Sequence, residues 1–291
     1  HRVIAVDQLC MGYSERTAQR RYATRVRDLG DVIEALDVRA ERPLFLAAHD
    51  WGGAIAMGWA VDHVDRLAGM VLCNTGIAVP EGRSAPAIIR LAASAAMLEL
   101  VCHGTPTLVE GTLRLSRGRL TKADREAFRA PYREARSRVA IADFVDDIPL
   151  SPGDPSERTL QAVADRLGSL DVPVLLAWGA RDPVFDDDFA ADLAGRLPDT
   201  VLHRFADANH LVMAESGPGE VTVASVAADF MSDVLSGRRL RRDSAPTGAE
   251  DPDAKEVRPL WAGVAERAGG DGGGAVAFVD MASGAQLTFG E

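Results

Sequence analysis

Ala48-His49-Asp50-Trp51-Gly52-Gly53 lies between an apolar run, Pro43-Leu44-Phe45-Leu46-Ala47-Ala48, and a Gly- and Ala-rich segment from about Gly52 to Val61. The first suits a strand buried on both faces and the second a closely packed helix. A sharp strand-to-helix turn has the form small–x–nucleophile–x–small, because no bulky side chain fits beside its exposed central residue. Ala48 and Gly52 fill the small positions, and the central one holds Asp50, not serine or cysteine. The helix N-terminus would keep this carboxylate ionised and stabilise negative charge developing beside it. The plain alternative is a helix cap, with Asp50 bonding the first-turn amides.

Outward from this turn the chain alternates. Arg2 to Asp7 reads as a buried strand before a turn at Met11-Gly12-Tyr13-Ser14. Tyr22, Val26, Leu29, Ile33 and Leu36 recur at helical spacing and line one helix face. Leu67 to Cys73 is the next strand. Strand, helix, strand, helix, strand implies an α/β fold with a parallel sheet and helices on both faces, so 1–75 is the first part of a core domain. From 76 to 170 helical patterns dominate, and this block reads as a helical cap inserted between two sheet strands. Ile88, Ile89, Leu91, Met97 and Leu98 are its candidates for lining an apolar slot.

The strand rhythm returns at Val172–Trp178 and Thr200–Phe205, with a final helix from about Pro218 to Leu235, so 171–236 completes the core. A charged, Pro/Gly/Ser-rich stretch over 237–259 reads as a linker. Within 260–291, Ala275–Val279 and Gln286–Phe289 read as two strands joined by a Gly-containing turn. The chain opens on a strand at His1 and closes on another. It is therefore read as a piece of a longer protein, with further N-terminal strands expected upstream.

Two more residues join Asp50 in the order nucleophile, acid, base. Asp182 follows a strand in Gly179-Ala180-Arg181-Asp182-Pro183, and His210 follows another in Ala208-Asn209-His210-Leu211. Loops at the carboxyl ends of parallel strands are where such sheets build their sites. Asp182 would fix the imidazole tautomer and His210 would act as acid or base. Singly, Asp182 reads equally as a turn residue and His210 as a loop histidine. Asp186, Asp187 and Asp188 are rival acids better placed to start a helix. His49 is read as structural, and His63, His103 and His203 as surface or core residues. Trp51 either aims its indole N–H at a leaving group or packs under the turn.

The net charge of −11 argues against nucleic acid. No apolar run reaches the ~20 residues that cross a bilayer, and no signal peptide is evident. Cys10, Cys73 and Cys102 read as reduced thiols, giving a cytoplasmic expectation without a metal site or organic cofactor.

Over residues 2–236 the chain resembles the haloalkane dehalogenase and epoxide hydrolase branch of the α/β-hydrolase fold. The resemblance rests on His49-Asp50-Trp51-Gly52-Gly53, Asp182, His210 with Glu215, and the cap segment from Ala130-Pro131-Tyr132-Arg133 to Asp146-Asp147-Ile148-Pro149-Leu150. It implies an aspartate that attacks an electrophilic carbon and a histidine that activates water on the resulting ester. Epoxide hydrolases use two cap tyrosines, and here Tyr132 stands alone in the cap. In dehalogenases the tryptophan after the nucleophile, here Trp51, holds halide with a second donor. The cap also resembles the β-lactone decarboxylase of bacterial olefin biosynthesis. The tail from Leu260-Trp261-Ala262 onward resembles the opening of an AMP-forming β-lactone synthetase, which in some bacteria is fused to that decarboxylase. Departures are Cys10 where glycine is common, Val6 for a usual proline, and a second oxyanion donor expected upstream of His1.

The resemblance therefore implies a decarboxylase that turns a long-chain cis-β-lactone into an alkene and carbon dioxide. Asp50, Asp182 and His210 would be catalytic, Trp51 would bind the leaving group, and a fused synthetase would be the partner. Haloalkane dehalogenase and epoxide hydrolase are the competing activities. A non-catalytic scaffold docking the synthetase is the reading without chemistry.

Overall fold

The structure is a computed structural model. It describes residues 2–36, 38, 42–94, 97–116, 119–215 and 220–237, and the backbone of 275–278. Strands β1 (Arg2–Ile4), β2 (Leu44–His49), β3 (Leu67–Cys73), β4 (Val174–Gly179), β5 (Thr200–Phe205) and β6 (Ala275–Phe278) form a six-stranded sheet in the order β1-β6-β2-β3-β4-β5. All pairings are parallel. Of the expected strand, Ala275–Phe278 forms, but its backbone pairs within the core sheet, with Ile4 and Leu46 both opposite Ala277. The sequence reading assigns it to a separate tail. The rest of the expected tail, and the linker beyond Gly237, lie outside the described residues.

The alternation of side chains along each strand divides the core between the two faces. Leu44, Leu46, Met70, Leu72, Leu176 and Trp178 pack with helices α1 (Tyr22–Ala35) and α2 (Trp51–Ala60). Phe45, Ala47, Val71 and Leu175 meet the C-terminal helix over Val223–Leu235, which starts five residues later than its sequence pattern suggests. Sheet residues buried on both sides explain why β2, β3 and β4 read as continuous apolar runs. On α1 the buried face is Tyr22, Arg25, Leu29 and Ile33, so a charged Arg25 occupies part of the stripe expected to be apolar. Its guanidinium lies 3.6 Å from the centroid of the Phe144 ring, where a planar cation and an aromatic face attract.

Among the described residues of 76–170 there are helices and no strand, as the insertion reading expects. Helix α3 (Ala87–Ala92) leads to a π-helix over Leu98–Gly104, followed by α4 (Thr107–Leu115), α5 (Lys122–Arg129), α6 (Val139–Asp146) and α7 (Glu157–Ala164). Arg138 is buried and donates to the carbonyls of His103, Gly104, Tyr132 and Arg133 over 2.8–3.1 Å, stitching the π-helix to the next turn.

Asp147 joins cap to core. It is 2% exposed and accepts the Tyr22 N–H at 2.6 Å, the Ser156 hydroxyl at 2.7 Å and Arg21 Nη1 at 3.2 Å. Hydrogen bonds to a buried charge are worth about 1.5–3 kcal/mol each, and removing the acceptor strands its donors. Asp147→Ala is expected to lower the stability of the whole chain by about 2–4 kcal/mol in urea unfolding. A change within about 0.5 kcal/mol, typical of a surface substitution, would contradict this role.

Candidate active site

The turn after β2 places Asp50 by backbone constraint. Its φ is 50° and ψ −129°, a left-handed conformation that L-residues adopt only when held. The holding bonds are Asp50 N–H to the Asn74 carbonyl at 3.1 Å, and the Thr75 hydroxyl to the Asp50 carbonyl at 2.5 Å. Gly53 is the tight position of this turn, because a Cβ there would lie 2.2 Å from Thr75 Oγ1. Asp50 occupies the N-cap position of α2 without a side-chain cap bond to the amides of the following turn, and a hydrogen bond from the Trp51 backbone is among the influences that lower its pKa.

The carboxylate faces His210 instead. His210 Nε2 is 3.4 Å from Asp50 Oδ2, and its Nδ1 donates to Asp182 Oδ2 at 2.9 Å. The three residues named from sequence are therefore brought together. Asp182 is itself fixed, since its Oδ1 accepts the Val184 N–H at 2.8 Å and its Oδ2 accepts Asn74 Nδ2 at 2.9 Å. Gly179, at the end of β4, lets the His210 loop approach; a Cβ there would meet the Asn209 carbonyl at 2.1 Å.

Three further residues hold this arrangement; Glu215 and His49 stand in the motifs quoted from the sequence, and Asn74 does not. Asn74 is fully buried, with φ 28°, and also exchanges bonds with Gly179, accepting its N–H at 2.7 Å and donating to its carbonyl at 3.0 Å. It ties the nucleophile turn, β4 and the acid in one residue. Its only sequence signal is a polar residue directly after an apolar strand. Glu215 accepts the Asn209 N–H at 2.7 Å and the Leu211 N–H at 3.2 Å, clamping the backbone on either side of His210. His49 supports the same loop, its Nε2 donating to the His210 carbonyl at 2.8 Å.

The electrostatics follow from burial and pairing. Burial alone would depress His210, but the charge and hydrogen bond of Asp182, with Asp50 added, raise it well above the ordinary imidazole value. Burial would raise Asp50, yet the His210 bond and charge outweigh it and hold Asp50 below the ordinary carboxylate value. Both directions favour a protonated His210 facing an ionised Asp50. Burial, helped by the nearby His210 charge, pushes His49 down to about 4, so it is neutral.

A cavity of about 660 Å3 opens over Asp50 and His210. Trp51 lines it, packed against Tyr22 (ring centroids 6.3 Å apart) and Phe144 (5.6 Å). Ile88, Ile89, Leu91 and Met97 line it as expected. Leu98 does not; it packs instead with the small cluster of Ala92, Cys102 and Val145. Tyr132 also lines the cavity, and its hydroxyl oxygen accepts the Gly12 N–H at 3.0 Å.

The remaining candidates lie elsewhere. His63 stacks on Trp59, His103 pairs with Glu99 one turn away, and His203 packs beside Phe205. Asp186 caps the helix over Asp187–Arg196, as its position suggests. Cys10 has φ 73°, the left-handed geometry that explains why glycine is expected there. All three cysteines are buried and none forms a disulfide. Among the described residues no cluster of His, Cys, Asp and Glu is arranged to hold a metal, and no helix is long and apolar enough to cross a membrane.

Asp182 supplies the main force keeping His210 protonated, so Asp182→Asn should move the His210 ring titration to lower pH. NMR of ring-labelled histidine reads this without a substrate. An unchanged titration would show that the 2.9 Å contact does not carry the coupling.

Three comparisons bear on this site. The family described as serine aminopeptidase, S33 (Hydrolase_4) matches residues 1–217. The cis-3-alkyl-4-alkyloxetan-2-one decarboxylase of Xanthomonas campestris pv. campestris is 34% identical over 241 residues, 78% of this chain and 79% of that protein. Its namesake in Shewanella oneidensis is 30% identical over 233 residues, 76% and 72% of the two chains. The solved structure of haloalkane dehalogenase DbeA from Bradyrhizobium elkani USDA94 superposes with a TM-score of 0.65 at 18% identity, covering 79% of this chain and 80% of that one. The family description names a serine, whereas this chain carries Asp50 at the strand-to-helix turn. With the parallel sheet, the turn and the helical cap all in place, the chain belongs to the α/β-hydrolase family and is an enzyme of that fold.

Proposed function

We propose that this chain is a β-lactone decarboxylase that converts a cis-3,4-dialkyl β-lactone to an alkene and carbon dioxide, with Asp50 as nucleophile, His210 as acid, Asp182 as its orienting partner and Trp51 as an N–H donor. The observation that carries the reading is the Asp50 carboxyl group 3.4 Å from His210 at the base of a large apolar cavity. Similarity to two decarboxylases of such lactones supports the choice of substrate.

The chemistry balances without water. An Asp50 oxygen attacks ring carbon C4, and the C4–ring oxygen bond breaks, leaving a carboxylate on C3. His210 and Trp51 receive the charge that departs with the ring oxygen. The bond from C3 to that carboxylate then breaks, its electron pair forming the double bond as C4 releases Asp50. The products are alkene and carbon dioxide, and Asp50 returns as a carboxylate. Apolar walls favour this second step, since a carboxylate poorly solvated in its ground state loses charge on becoming carbon dioxide.

Haloalkane dehalogenation is the second reading, favoured by Trp51 lining the cavity directly beside Asp50. It requires water to release the Asp50 ester. A fused adenylating synthetase belongs to the first reading and rests on the sequence of 260–291 alone.

Incubation with a cis-β-lactone and, separately, with a 1-haloalkane distinguishes the two. We expect alkene and carbon dioxide in equal amounts by gas chromatography, and no halide release. Asp50→Asn should lower the rate by at least about a thousandfold while circular dichroism stays unchanged, since the amide is nearly isosteric but a poor nucleophile. Halide release without alkene would establish the second reading, and full activity in Asp50→Asn would remove both.

A further inference from the structure

The walls of the cavity are of two kinds. On one side Val109, Leu113, Phe128 and Leu211 line it, and they belong to one packed cluster in which Leu113 is 2% and Leu211 4% exposed. These side chains come from α4, α5 and the loop of His210 itself, and two of them are almost wholly covered. On the other side α3 supplies Ile88 and Leu91, which line the cavity and yet are 49% and 60% exposed. Here the cavity meets solvent. Asp50 and His210 also line it, so an occupant held at the carboxylate reaches both kinds of wall.

Volume makes the difference consequential. A cavity of about 660 Å3 holds only a finite length of alkyl chain, so what bounds it at each wall matters. A chain directed into the covered side gains apolar burial until it reaches the packed cluster, where a further methylene must displace close-packed side chains. A chain directed past Ile88 and Leu91 meets no wall, and its added methylenes neither gain much burial nor collide.

We propose that the site has one closed arm, walled by Val109, Leu113, Phe128 and Leu211, and one open arm leaving past Ile88 and Leu91, so that it imposes a sharp length limit on one alkyl chain of its substrate and almost none on the other. This rests on the decarboxylase reading only for the identity of the substrate with two chains. Phe128 and Val109 are specificity-determining residues of the closed arm, and Leu91 marks the exit of the open one.

The test uses the full chain carrying Asp50→Asn, which keeps the cavity but does not turn substrate over. Its Kd is measured by calorimetry for two series of cis-β-lactones, one lengthened only at C3 and the other only at C4. In one series Kd should fall about fourfold per methylene, the value for full apolar burial, and then rise at least about tenfold beyond a limiting length. In the other it should level off without a rise. Phe128→Ala, and the smaller excision Val109→Ala, should move the limit to longer chains in the first series only. Identical profiles in both series, or a shift of both by either variant, would overturn the proposal. Turnover by the unsubstituted enzyme separates the two claims. Asymmetric binding without alkene production leaves the arms and removes the decarboxylase reading, whereas alkene production with symmetric profiles does the reverse.

Discussion

The site depends on one buried imidazolium held between two carboxylates. His210 contacts Asp182 at 2.9 Å and Asp50 at 3.4 Å, and all three come from different loops at the carboxyl ends of parallel strands. Leaving one member of a buried charged set unpaired costs about 3–5 kcal/mol, so the arrangement holds only where every partner is fixed. The surroundings supply that fixing. The left-handed backbone at Asp50, Asn74 between two strands, Glu215 clamping the His210 loop and His49 bonded to the His210 carbonyl each remove a freedom that the triad cannot spare. In the proposed reaction Asp50 loses its charge on forming the ester, and the carboxylate freed with the ring oxygen takes its place beside His210.

The cap is organised by a similar rule with different groups. Arg138 binds four backbone carbonyls and Asp147 ties the cap to the start of α1, so two buried charges hold helices whose inner faces are left to line the cavity. Polar groups carry the architecture and apolar groups carry the recognition. A cavity built this way distinguishes occupants by length and shape, since its walls offer few hydrogen bonds to a ligand.

Much of this was legible in the sequence, and the reason is locality. Asp50 stands in a motif whose strand, turn and helix are contiguous, and β3 and β5 have the bounds that their apolar runs suggest. Asp182 and His210 each follow a strand directly. What escaped were residues whose meaning lies in distant partners. Asn74 bonds Asp182 across 108 positions, and Asp147 meets Tyr22 across 125. Neither has a local pattern that distinguishes it from an ordinary loop or helix-end polar residue. Leu98, expected on the cavity wall, lies off it, and Arg25 joins the buried face of α1 unannounced, for a related reason. Helical spacing predicts which face is buried, but it does not say whether that face meets a cation-accepting ring or a satellite cluster away from the cavity. Ala275–Phe278 was recognised as a strand, while its pairing in the core sheet is a tertiary fact that no local pattern encodes.

An aspartate at a strand-to-helix turn serves both hydrolysis, in which water releases the ester, and elimination, in which the ester releases itself. The apolar cavity and the similarity to lactone decarboxylases favour the second. Repeated turnover of a cis-β-lactone in water labelled with oxygen-18, followed by mass spectrometry of the peptide containing Asp50, tests that choice most directly. The account predicts alkene and carbon dioxide with no label in Asp50, because the carboxylate leaves with its own oxygens. Label accumulating in Asp50, together with a hydroxy acid product, would show that water breaks the ester and would contradict it.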